Sequence, residues 1–89
     1  MQIELTTNFK KKVRKLPNSV AIAVAQSIRA TQQAASFSEI PNFKALKGYR
    51  NYYRIRVGDY RIGLFWNGEK FLLETIGTRG DFYKTYPPK

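Results

Sequence analysis

Apolar side chains change their spacing twice along the chain. Ile3 and Leu5 alternate with Gln2 and Glu4, the period of a short strand. Phe9, Val13 and Leu16 then fall at i, i+4 and i+7, the stripe of a short helix. Thr6, Thr7 and Asn8 stand before it, and all are good N-cap types. Pro17 ends it, because proline cannot donate to the helical ladder. Asn18 or Ser19 can cap a second helix, in which Val20, Val24 and Ile28 recur every four residues. Ala21, Ala25 and Ala35 widen that stripe. The pattern predicts a helix to about residue 34, packed against the first as a hairpin.

The segment ASFSEIPNFKALKG (35 to 48) reads as a connection punctuated by Pro41 and Gly48. Ile40, Phe43 and Leu46 are expected to dip into the core. Period-two runs follow at 50 to 57, 60 to 66 and about 70 to 76. Gly58-Asp59 suits a two-residue primed turn, and Asn67-Gly68 is a strong turn signal for the next hairpin. The tail GTRGDFYKTYPPK has no clear period. The predicted order is a strand, a two-helix hairpin and a three-stranded antiparallel meander. Both helices pack on one sheet face, making residues 1–89 a single α+β domain.

A two-residue turn at 58 and 59 dictates the pairing of its strands. Val57 then faces Tyr60, Arg56 faces Arg61, Ile55 faces Ile62, Arg54 faces Gly63 and Tyr53 faces Leu64. Opposed residues share a face. Tyr53, Ile55, Val57, Tyr60, Ile62, Leu64 and Trp66 form a core face. Tyr52, Arg54, Arg56, Arg61, Gly63 and Phe65 form the other. On the third strand the same parity puts Phe71 and Leu73 on the core side, and Leu72, Glu74 and Ile76 on the arginine side. Glu74 is the one carboxylate expected among the arginines.

Two arginines opposed across a ladder cost about 0.2–1 kcal/mol. Solvated arginines with their stems on Tyr52 and Phe65 are the plain reading. Phosphate binding explains the choice better, since guanidinium groups grip phosphate in pairs of hydrogen bonds and keep their charge. Gly63, opposite Arg54, offers a side-chain-free patch where a ligand backbone can approach. Tyr52 and Phe65 suit stacking on the bases of single-stranded RNA.

Charge strengthens this reading. Sixteen Lys and Arg face six Asp and Glu, a formal net charge of +10 on 89 residues. Such an excess calls for an anionic partner, nucleic acid first. Lys10, Lys11, Lys12, Arg14 and Lys15 crowd the first helix, as a solvated face or as contacts to nucleic-acid phosphates. A membrane is not expected, because no apolar run approaches the ~20 residues of a span. The chain has no cysteine and no histidine. Disulfides, thiolate nucleophiles and the usual zinc sites are thereby excluded, and so is the commonest general base. The polar start is no secretory signal, and the cytoplasm is the expected location.

LKGYRNYYRIRVGDYRIGLFW (46 to 66), followed by IGTRGDFY (76 to 83), resembles the RelE/ParE superfamily of toxins from bacterial type II toxin–antitoxin systems. The resemblance covers residues 2 to 83. It implies a microbial-RNase-like fold, ribosome-dependent cleavage of messenger RNA, and neutralisation by a cognate acidic antitoxin. It also implies that the messenger 2′-hydroxyl attacks the adjacent phosphorus and leaves a cyclic phosphate, with no metal or other cofactor. The family's basic strand positions fall on Arg54, Arg56 and Arg61, and its late pair on Arg79 and Tyr83. Lys47 matches a further basic position before the sheet.

Arg61 and Arg79 are the expected clamp on the charge of the transition state. Tyr83 is expected to stack on a base or transfer a proton. Some relatives carry lysine where this chain has Arg54 and Arg56, and arginine does not give up its proton. Those two are therefore better phosphate ligands than bases. Glu74 is the candidate base, or simply a counter-ion for Arg61. Two rival readings stand beside the nuclease. One is a ParE-like inhibitor of DNA gyrase, which would lack the nuclease residues that Arg61, Arg79 and Tyr83 match. The other is an RNA-binding module that does not cut.

Overall fold

The computed structural model of the chain describes residues 1–88. Five strands form one sheet: β1 (Ile3–Leu5), β2 (Phe43–Ala45), β3 (Tyr52–Val57), β4 (Tyr60–Trp66) and β5 (Phe71–Thr78). Their spatial order is β1-β5-β4-β3-β2. β1 runs parallel to β5, and the other neighbours are antiparallel. Helices α1 (Thr7–Val13) and α2 (Asn18–Gln33) follow β1, and α3 (Arg79–Thr85) follows β5.

Of the three possible caps for α1, Thr6 is the one used. Its Oγ1 accepts from the Phe9 N–H at 3.2 Å and donates to the Leu73 carbonyl at 2.9 Å. The cap thus also ties α1 to β5. Neither Asn18 nor Ser19 caps α2; Pro17 holds the N-cap position without a side-chain bond. α1 packs on β5 and α2 on β3, so each helix of the expected hairpin rests on the sheet. Ala35 lies beyond the end of α2, and Ala34 is buried instead.

Phe9, Val24, Ile55, Ile62, Leu64, Phe71 and Leu73 form the centre of the core beneath α1 and α2. The expected core face of the hairpin is therefore the observed one. Ile40 is buried in this core, as its place in the connection predicted. Phe37, in a 3-10 turn at Phe37–Glu39, meets the rings of Phe43, Tyr53, Trp66 and Phe71 at 5.1–5.6 Å.

Two elements depart from expectation. β2 lies inside the presumed connection and pairs with β3. α3 lies in the tail, capped by Thr78, whose Oγ1 accepts from the Asp81 N–H at 3.4 Å. β5 also carries a bulge. Ile62 pairs with Ile76 and Gly63 with Thr75, but Leu64 pairs with Leu73, so Glu74 is an extra residue. The bulge reverses the parity beyond it. Ile76 is buried on the core face, not on the arginine face as simple alternation implied.

Candidate nucleic-acid interface

The β3–β4 register is the one demanded by a two-residue turn. Arg56 faces Arg61, Arg54 faces Gly63 and Tyr52 faces Phe65. Gly58 takes φ +57° at the first central position, as a type II′ turn requires. β2 extends this face, because Lys44 pairs with Arg54. Lys44 was hidden in a stretch too short and irregular to read as a strand.

Carbonyl oxygens aim the three arginines. Arg54 Nη1 donates to the Asn42 carbonyl at 2.8 Å, and Arg56 Nη2 to Asn42 Oδ1 at 3.4 Å. Arg61 Nη1 donates to the Gly58 and Tyr60 carbonyls at 2.8 and 3.0 Å. Asn42 reaches both of its arginines from a left-handed conformation, φ +58°. Asparagine tolerates that region well, so Pro41-Asn42 was a readable turn signal. The ion pairs among the described residues are Lys70–Glu4 and Lys84–Asp81. Neither involves a sheet arginine. The carbonyls orient the guanidinium groups without cancelling their charge.

α3 brings the late pair to the same side of the sheet. Gly77 pairs with Arg61 and therefore faces the arginine side. A Cβ at Gly77 would meet the Phe82 backbone at 3.7 Å, which places α3 on that side. Phe82 and Tyr86, four residues apart, are both buried. Asp81, Lys84 and Thr85 line a cleft with Lys12 and Thr75 at the α1 edge. α3 packs on β5 and β4, and Arg79 and Tyr83, also four apart, share a flank of it away from that cleft. Both are exposed, Tyr83 at 51%. The Arg79 N–H donates to the Asp59 carbonyl at 2.7 Å, fixing the start of α3 against the β3–β4 turn.

Three expectations about this face need correction. Gly63 is not open. The Tyr86 ring covers it, so closely that a Cβ there would lie 2.6 Å from Tyr86 Cε2. Tyr52 and Phe65 are half-buried and pack on one another at 4.8 Å, with Tyr86 5.7 Å from Tyr52. They form a floor under Tyr86 rather than an open stacking platform. Glu74 does not sit among the arginines. Its Oε1 accepts from the Tyr86 hydroxyl at 2.8 Å, and it borders a cleft with Asn8, Lys12, Thr85 and Tyr86. It makes no ion pair with Arg61 among the described residues, and its Oε1 is taken up by the Tyr86 hydroxyl. Burial, then the bond to Glu74, hold the Tyr86 phenol well above its ordinary ionisation range.

The remaining basic candidates lie around the rim. Lys47 is exposed in the β2–β3 loop. Lys10, Lys11 and Arg14 are exposed on or just after α1. Lys12 is exposed as well, but its Nζ is engaged, donating to Thr75 Oγ1 at 2.8 Å. Tyr86, Asn42 and Lys44 are the residues that sequence reasoning missed.

No protein-family model matches the chain. Toxin RelE3 of Methanocaldococcus jannaschii is 32% identical over 88 residues, covering 98% of this chain and 100% of the relative. The chain belongs to the RelE family of toxins. The RelE fold agrees with solved structures. The RelB-RelE antitoxin-toxin complex from Methanococcus jannaschii matches with a TM-score of 0.79 and 31% identity, over 93% of this chain and 98% of that one. The archaeal RelE-RelB complex from Pyrococcus horikoshii OT3 matches with a TM-score of 0.71 and 19% identity, over 91% and 97%. The RelE resemblance carried by residues 46 to 66 and 76 to 83 therefore holds, and these relatives are archaeal.

Proposed function

We propose that the protein is a RelE-type messenger-RNA endonuclease that acts on the ribosome. The observation that carries this reading is the uncompensated cationic face. Arg54, Arg56 and Arg61 hold their charge without a carboxylate partner among the described residues, and Arg79 and Tyr83 share their side of the sheet. In this reading the 2′-oxygen of the message attacks the adjacent phosphorus and loses its proton. The bond from phosphorus to the 5′-oxygen breaks, and that oxygen takes up a proton. The products are a cyclic phosphate and a 5′-hydroxyl.

Arg54 and Arg56 bind phosphate, while Arg61 and Arg79 stabilise the charge that gathers at phosphorus. Tyr83 is the group assigned to proton transfer, because arginines do not exchange protons at neutral pH. Lys47, Lys10, Lys11 and Arg14 contact RNA phosphates at the rim, and Lys12 anchors α1 to β5 beside them. The structures of relatives as RelB-RelE complexes support a cognate antitoxin partner. The net charge of +10 favours an acidic one.

A growth assay tests the site. Expression without the neighbouring antitoxin gene arrests growth, and Arg61→Ala or Arg79→Ala restores it. Losing one such cation costs about a hundredfold or more in the chemical step. Full toxicity of both variants at equal protein level refutes the assignment. DNA damage with intact messages would instead indicate gyrase inhibition.

A further inference from the structure

We propose that Tyr86, seated on Gly63 and bonded to Glu74, is a positioning residue that aims Arg79 and Tyr83 at the arginine face. This rests on the endonuclease reading. α3 spans only Arg79–Thr85, and a helix so short does not hold its shape alone in water. Its placement must come from its anchors. The Arg79 N–H holds the first turn to Asp59, Phe82 buries the middle, and Tyr86 secures the C-terminal end. Without the last anchor, α3 is free to roll about Phe82. Arg79 and Tyr83 lie on its flank, so a roll moves both.

The seat for Tyr86 is built by two features of the sheet. Gly63 leaves room for the ring, where any Cβ would stand 2.6 Å from it. The β5 bulge supplies Glu74 as the extra residue facing Tyr86. The bulge is itself braced, since Asn8 Nδ2 donates to the Glu74 carbonyl at 2.8 Å. A path of contacts thus runs from α1 through Glu74 and Tyr86 to α3. The phenol stays protonated across the neutral range, so the donor is always present.

Tyr86→Phe keeps the ring and removes the donor. Glu74→Ala removes the acceptor, and Glu74→Gln keeps an acceptor oxygen. Cleavage is read in a single turnover on ribosomes programmed with a defined message. Tyr86→Phe and Glu74→Ala should each slow it about tenfold or more, with half-saturating ribosome concentration within about twofold. Glu74→Gln should stay within about threefold of wild type, because the bond survives. The double variant should be no slower than the slower single one. Wild-type cleavage by Tyr86→Phe, or equal loss in Glu74→Gln and Glu74→Ala, overturns the proposal.

Amide exchange over residues 79 to 85 provides a second reading that needs no cleavage. It should rise about tenfold in Tyr86→Phe and Glu74→Ala, but not in Glu74→Gln, with β3 and β4 unchanged. Unchanged exchange in α3 counts against the anchor itself. Wild-type protein that leaves the message intact overturns the endonuclease reading instead, while the exchange result still decides the role of Tyr86.

Discussion

Arg54, Arg56 and Arg61 each spend a guanidinium N–H on an uncharged oxygen. A carboxylate in that place would bind more tightly, but it would compete with phosphate for the same fork. Asn42, Gly58 and Tyr60 supply the orientation at no cost in charge. Tyr86 presents the opposite arrangement, a neutral donor held by a carboxylate. Its folded-state ionisation is raised above the ordinary value of about 10, so folding favours the protonated phenol. The resulting stability is fully present below about pH 10 and is lost as pH rises through the folded value, because the unfolded chain releases its proton first. Lys70 is shifted upward by its hydrogen bond to Glu4, with the same sign, but it acts equally in both proteins compared. The thermal midpoint of wild type should therefore fall more steeply than that of Tyr86→Phe above about pH 10, the slope difference approaching the one proton involved by about pH 11, with parallel slopes below about pH 9. Parallel slopes above about pH 10 as well would contradict the buried phenol–carboxylate bond.

At the scale of elements, the β3–β4 hairpin holds a tension between stability and use. Arg56 and Arg61 repel across the ladder. Arg56→Thr should stabilise the fold by about 0.2–1 kcal/mol in denaturant melts while it weakens RNA cleavage. A variant that gains stability with unchanged cleavage would assign Arg56 to solvent alone. The hairpin was legible because period two, a glycine turn and a one-sided core all agreed. β2 was not legible, since three edge residues, Phe43–Ala45, carry no period. α3 escaped because only Phe82 and Tyr86 mark its buried stripe and Gly80 interrupts it. The spacing of Thr78 and Asp81 was the available sign of its start. The bulge at Glu74 left no trace in the alternation, so Ile76 and Glu74 were assigned by a parity that the backbone breaks. Gly63 was recognised as a close-approach site, but the approaching group is this chain's own Tyr86.

Across the whole molecule, the sheet separates two kinds of work. The face under α1 and α2 buries the main core. The other carries a smaller aromatic group under α3, with the arginines beside it. The chain carries a net charge of +10, and among the described residues no helix is long and apolar enough to cross a membrane. In the proposed reading a phosphate backbone and an acidic antitoxin compete for the same field, so that neutralisation would be electrostatic as well as steric. The most direct measurement is cleavage by the purified protein, without antitoxin, on ribosomes carrying a defined message. The expected result is discrete cuts at the ribosome, cyclic phosphate ends, and loss of cutting in Arg61→Ala and Arg79→Ala. A message left intact by wild type, or cut equally well by both variants, would contradict the account.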